Sequence, residues 1–180
     1  METKINIIKE FFEEPNKEFY IRELARKLKT NHTKIRTHLN KLVKQEYLEI
    51  KKDRVYTSYK AILNKKFLNL KTYYNLEKIR SSKIIGDLEK FYDFPTIVLF
   101  GSYAQAIDDQ NSDIDIFILS NINKEFNTFK YKKILNRKIE IHLITKKDFE
   151  NLKKNSKEFI NSLCNGIVLS GQLEVLWWKT

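Results

Sequence analysis

The chain has 180 residues, 42% of them hydrophobic and 13% aromatic, with four glycines, two prolines and one cysteine. That length accommodates one ordinary domain or two small ones, and the composition excludes collagen-like, mucin-like and linker-dominated architectures. The formal charge of +11 is concentrated in the first half: residues 1–62 carry a net +6, residues 63–90 a net +4 and residues 91–180 only +1.

The single Cys164 excludes an intramolecular disulfide. No apolar N-terminal stretch resembles a signal peptide, so a soluble protein of the reducing cytoplasm is expected. Apolar runs such as Thr96 to Phe100 are far shorter than the roughly 20 residues that span a bilayer, so no membrane partner is expected. A basic first half beside a second half with clustered carboxylates at 108–115 suggests polyanion binding on one side and metal binding on the other.

In chain order, residues 4–13 place Ile5, Ile8, Phe11 and Phe12 at helical spacing, and Pro15 stops the helix. Residues 21–28 predict a short helix with Ile21, Leu24, Ala25 and Leu28 inward. After a polar break at 29–31, a second helix spans about His32 to Gln45, with Ile35, Leu39, Leu42 and Val43 apolar and Lys34, Arg36, Lys41 and Lys44 exposed. Residues 47–50 and 55–59 predict two strands joined by a charged turn. A short helix, a tight turn, a basic helix and a hairpin form the layout in which the second helix enters a DNA major groove.

The stretch Phe19-Tyr20-Ile21-Arg22-Glu23-Leu24-Ala25, Leu39 with Leu42, and the Tyr47–Tyr59 hairpin resemble the winged-helix domains of prokaryotic transcription regulators. DNA binding would place Thr33, Lys34, Arg36 and Thr37 in the groove, and Lys51, Lys52 and Arg54 over phosphates. The alternative is a module for protein contacts whose basic residues form a solvated face. His32 and His38 lack partners at zinc-like spacing and read as polar surface residues.

Residues 64–91 predict one long helix or two consecutive ones, with the aromatic stripe through Phe67, Tyr73 and Tyr74 serving core or interdomain packing. Ile97 to Phe100 is a continuous apolar run ended by Gly101-Ser102, which reads as a buried strand feeding a tight turn. A short helix is expected at about 103–107, its free N–H groups facing an anion. Glycine permits close backbone approach to a phosphate, and the Ser102 hydroxyl adds a donor. In the next strand Asp113 and Asp115 share one face while Ile114, Ile116 and Ile118 bury the other. Two adjacent carboxylates repel, and a divalent cation such as Mg²⁺ neutralises them with oxygen ligands of the type it prefers.

Gly101-Ser102 followed by Asp113-Ile114-Asp115 between apolar strands resembles the DNA polymerase beta-like nucleotidyltransferase superfamily, and most of all its minimal prokaryotic members. The resemblance implies that Gly101 and Ser102 bind nucleotide phosphates and that Asp113 and Asp115 hold Mg²⁺. It also implies a third acid on a later strand, where Glu140 stands in place of the usual aspartate; an exposed strand carboxylate is the alternative. His142 shares the Glu140 face. Two departures are Ala106, where glycine is usual, and Gln105, where a basic residue is common; Ala106 is expected to tighten the entrance to the short helix.

Residues 148–164 predict an amphipathic helix with Cys164 buried on its apolar face, Gly166 a turn, and Ile167 to Leu169 a closing strand. Trp177 and Trp178 read as core or interface anchors. The whole is an α+β protein: a winged helix-turn-helix at 1–62, a helical connector at 63–92, and a small mixed-sheet nucleotidyltransferase domain with flanking helices at 93–180. The expected activity is Mg²⁺-dependent transfer of a nucleoside monophosphate from an NTP, with ATP foremost, to a hydroxyl. The acceptor is a nucleic acid end, a protein or a small molecule. One alternative is a DNA-binding regulator that senses a nucleotide; another is an antitoxin-type enzyme that modifies a partner protein. A pair of scaffolds leaves the carboxylates unexplained, and a homodimer is expected, since winged helices often pair to read symmetric sites.

Overall fold

A computed structural model describes residues 2–53 and 56–175, with side chains from residue 7 onward. Arg54, Trp177 and Trp178, and the side chain of Ile5, lie outside the described residues. The chain divides into two compact units, residues 1–71 and 72–180.

The first unit runs α1 (Glu2–Glu13), β1 (Phe19–Tyr20), α2 (Ile21–Lys27), α3 (His32–Lys44), β2 (Leu48–Lys52) and β3 (Thr57–Ala61). The turn between α2 and α3 forms because Lys29 takes a left-handed conformation (φ 49°) and Asn31 caps α3, its Oδ1 accepting from the Lys34 N–H at 2.7 Å. Leu24, Ile35 and Leu39 then meet in a core with Phe11 and Phe19, whose rings pack edge to face at 4.8 Å. The β2–β3 hairpin is antiparallel, and β1 pairs on the other side of β3, aligning Phe19 with Tyr59.

Residues 65–91 form two helices, α4 (Lys65–Ser82) and α5 (Ile84–Phe91), separated where Lys83 turns left-handed at φ 64°. Phe67 and Ile79 are buried, as expected of the stripe, but Tyr73 is 62% exposed. The buried positions of α4 are 67, 71, 75, 79 and 82, three or four residues apart; Tyr73 lies two residues from 71 and 75 and so points the opposite way.

The second unit is built on a four-stranded mixed sheet: β4 (Thr96–Phe100), β5 (Ile114–Leu119), β6 (Ile139–Ile144) and β7 (Ile167–Ser170), in the order β6-β5-β4-β7. β5 and β6 are parallel, joined through α7 (Phe129–Leu135), while β4 is antiparallel to both its neighbours. Alternation divides the side chains between two cores. Ile97, Leu99, Ile114, Ile116 and Ile118 pack against Ile84, Leu88, Tyr92 and Tyr131. On the other face Val98, Phe100 and Phe117 pack against Phe149 of α8 (Lys146–Asn155) and Leu163 of α9 (Lys157–Cys164). Each such side chain contributes roughly 1.5–3 kcal/mol on burial, so both layers hold the sheet.

The predicted helix over 148–164 is therefore two, broken at Ser156, whose extended φ of −131° leaves the helical region. Cys164 is exposed rather than buried. It follows Leu163 directly, about 100° further round the helix, and so leaves the face that Leu163 shares with Phe159 and Ile160. Among the described residues no helix is long and apolar enough to cross a membrane.

Candidate active site

At the junction of β4 and β5 the backbone turns at Gly101, which adopts φ +71° and starts the four-residue helix α6 (Gly101–Ala104). The helix thus begins two residues before the expected position, and a single turn has almost no macrodipole. What it offers an anion is the backbone N–H groups of its turn and the half-buried Ser102, whose hydroxyl has no hydrogen-bond partner among the described residues. Only glycine fits position 101: a Cβ there would lie 2.5 Å from Asp115 Oδ2. The turn carrying Ser102 is pressed directly against that carboxylate.

Asp115 is the second residue of β5, aligned with Phe100 on one side and with Glu140 of β6 on the other. In parallel strands aligned residues point the same way, so Asp115 and Glu140 share a face, and His142, two residues along β6, joins them. Asp113 immediately precedes β5 and is tied to the set by Lys138. The Lys138 Nζ donates to Asp113 Oδ2 at 3.1 Å and to Glu140 Oε2 at 2.9 Å. Both contacts raise the lysine pKa, Glu140 most.

Burial raises the pKa of Asp115, and the neighbouring charges of Glu140 and Asp113 add to the rise, while His142 opposes it. The His142 Nε2 stands 3.7 Å from Asp115 Oδ1, close enough for an ionic contact but too far for a hydrogen bond, and this buried nitrogen has no hydrogen-bond partner among the described residues. Phe100 packs edge to face on the histidine ring at 5.1 Å and fixes its plane.

A buried network sets the loop between α6 and β5. Asn75 Nδ2 donates to the Tyr103 carbonyl and to Asp108 Oδ1, each at 2.9 Å, and Arg137 lies 3.6 Å from the other Asp108 oxygen. All three side chains are at least 95% buried, in the order Asp108, Asn75, Arg137. Ala106, also buried, holds φ +57°, a conformation suited to glycine. The methyl group strains the exit of α6 rather than its entrance, which differs from the sequence expectation because the strained residue follows the helix. Gln105 is exposed.

Asp115, Glu140 and His142 thus share one face of β5 and β6, and Asp113 stands one residue ahead of β5. Asp113, Asp115 and Glu140 supply the hard oxygen donors that Mg²⁺ prefers, and the orphaned His142 nitrogen faces the same space. By donor chemistry, not by their present spacing, these residues suit a divalent cation. Among the described residues, no three His, Cys, Asp or Glu side chains are grouped to hold a metal ion, and Asp113 and Glu140 are each paired with Lys138. The sequence reading missed Lys138, Asn75 and the Asp108–Arg137 pair. Lys138 has a visible signal, since it alternates with Glu140; the others depend on contacts distant in sequence.

In the first unit Thr33, Lys34, Arg36 and Thr37 are all exposed on α3, and Lys51 and Lys52 are exposed at the end of β2. The Thr37 hydroxyl is occupied by its own helix, donating to the Thr33 carbonyl at 3.0 Å, and Lys51 pairs with Glu49 at 2.9 Å. Arg36 lines a cleft of about 710 Å³ with Arg22, His32, Tyr20 and Tyr56. Of these five the sequence reading had only Arg36 among its candidates.

No curated protein and no solved structure matches the chain. The family model described as "Polymerase beta, Nucleotidyltransferase" matches residues 82–174, just over half the chain, from the end of α4 to beyond β7. That span contains the Gly101-Ser102 turn, Asp113, Asp115 and Glu140, and the chain belongs to the polymerase beta nucleotidyltransferase family.

Proposed function

We propose that the protein transfers a nucleoside monophosphate from an NTP, with ATP foremost, to a hydroxyl, using Mg²⁺ held by Asp113, Asp115 and Glu140. The observation that carries this reading is the alignment of Asp115 with Glu140, with the Gly101-Ser102 turn packed on Asp115. Bound Mg²⁺ would neutralise the carboxylates and the developing charge on the phosphates. Backbone N–H groups of the turn and the Ser102 hydroxyl hold the non-reacting phosphate oxygens and orient the triphosphate. The acceptor oxygen attacks the α-phosphorus, the bond from that phosphorus to the bridging oxygen of the β-phosphate breaks, and pyrophosphate departs. A Glu140 carboxylate oxygen accepts the proton from the acceptor hydroxyl. Lys138 must release Glu140 for this, and it then stands beside the incoming phosphates as a counter-charge.

The first unit serves in this reading as a winged helix-turn-helix that places the enzyme on DNA. The element order α1-β1-α2-α3-β2-β3 and the exposed row Thr33, Lys34 and Arg36 on α3 support it. Lys51 and Lys52 would meet phosphates, as would Arg54, which lies outside the described residues.

The deciding experiment incubates the full chain with each α-labelled NTP and Mg²⁺, with DNA, RNA or protein acceptors, beside an Asp113→Ala/Asp115→Ala variant. Label transfer by the intact chain alone is the expected result. A nucleotide-sensing regulator is the second reading, favoured by the Lys138 bridge across Asp113 and Glu140. It would bind Mg–NTP and change DNA affinity without moving label.

A further inference from the structure

A cleft of about 440 Å³ opens beside Asp113, between the loop at 110–112 and the exposed side of α7. Its walls include Asn111, Phe129, Lys132, Lys133 and Asn136, and Asp113 forms part of its edge. The stretch Phe129 to Lys138 contains five basic residues and no acid. Three of the five are already engaged: Lys130 with Asp87 at 2.8 Å, Arg137 with buried Asp108, and Lys138 with the catalytic carboxylates. Lys132 and Lys133 form no ion pair among the described residues and both are exposed.

Phe129 is 63% exposed, an unusual place for a phenyl ring, and Lys133 Nζ lies 4.6 Å from its centroid. Spacings of three and four residues put Phe129, Lys132 and Lys133 on one side of α7. Two uncompensated ammonium groups around a solvent-facing ring suit a ligand that alternates phosphates with flat bases. Asn111 and Asn136 add side-chain amides able to donate and accept toward base edges. The volume suits one or two nucleotides and is too small for a duplex.

We propose that this cleft holds the end of a single-stranded nucleic acid whose terminal hydroxyl is the acceptor. The proposal rests on the nucleotidyl-transfer reading above and names the acceptor class for that same site. Lys132 and Lys133 bind backbone phosphates, the terminal or penultimate base stacks on Phe129, and the chain end is directed past Asp113 toward Glu140.

The test uses the full chain and a single-stranded oligoribonucleotide carrying a photoreactive thiouridine at its 3′ end, with crosslinks mapped by mass spectrometry. The crosslink is expected on Phe129 or within residues 110–113. Lys132→Glu with Lys133→Glu abolishes it and lowers the salt slope of oligonucleotide binding by about one to two. Phe129→Ala weakens binding by about tenfold. Crosslinks confined to residues 1–71, or none at all, overturn the proposal. Equilibrium dialysis with Mg–NTP separates the two readings. NTP binding without the crosslink leaves the transferase standing with another acceptor. A crosslink in the cleft without NTP binding keeps the nucleic acid site and removes the transferase.

Discussion

Gly101 and Asp115 are packed so closely that a single methyl group on the glycine would intrude to 2.5 Å from the carboxylate. The phosphate-facing turn and the central acid are therefore one mechanical piece. Gly101→Ala is expected to destabilise the protein by about 1–3 kcal/mol, from left-handed strain together with the clash. In an Asp115→Ala background the clash disappears and only the backbone strain persists. Urea denaturation of the two singles and the double checks this: strictly additive effects would mean that the contact does not exist.

Lys138 acts as a built-in cation for Asp113 and Glu140. Lys138→Met removes the competitor and leaves two carboxylates facing each other, so Mn²⁺, used as a spectroscopic stand-in for Mg²⁺, is expected to bind severalfold more tightly. Electron paramagnetic resonance titration measures this without any turnover. An unchanged or weaker affinity would show that the ammonium does not compete for the site.

Asp115 makes a pH-dependent contribution whose sign follows from its raised pKa. The folded chain holds the proton more tightly than the unfolded chain, whose aspartate has the ordinary value of 3.8. Stability is thus fully present below that value and declines as pH rises through the folded pKa. Asp115→Asn is expected to raise the denaturation midpoint at neutral pH and to leave it unchanged near pH 3, where both side chains are neutral. A stabilisation independent of pH would assign the effect to packing instead.

Ala106 occupies a backbone region that costs a residue with a Cβ roughly 1–2 kcal/mol. Ala106→Gly relieves that strain and loses about 0.8 kcal/mol of buried methyl, so the net effect is neutral to mildly stabilising. Ala106→Val, β-branched at positive φ, is expected to destabilise by more than about 2 kcal/mol. Equal losses from both substitutions would contradict the strain assignment.

Much of the second unit was legible because its signals are local. The apolar run to Phe100 ends at a glycine-serine pair, and isoleucines at 114, 116 and 118 alternate with Asp113 and Asp115. All three isoleucines are fully buried, as that alternation requires. The alternation of 139–144 likewise anticipated a strand, and with it the shared face of Glu140 and His142. What escaped was set by partners far apart in the chain. Asn75 reads as one polar residue in a helix, yet it meets Asp108 only after folding brings them together. Nothing near Ser156 distinguishes a broken helix from a continuous one, and the apolar residues around Cys164 do not tell that Leu163 takes the buried face and leaves the cysteine exposed. The preference of alanine for a helix hides the left-handed backbone at Ala106, and the only hint of it is the glycine usual there in the family the chain resembles.

The Asp108–Arg137 pair has a consequence for anyone who would move this site into another protein. The guanidinium belongs to the residue just before Lys138, the carboxylate to the loop leading into Asp113, and Asn75 comes from a helix outside both. A transplant of residues 101–115 alone would carry the visible motif but leave Asp108 as an orphaned charge in its new host. The portable unit is discontinuous: the motif loop, the head of β6 and one turn of α4 have to travel together, or the acids arrive without the frame that aims them.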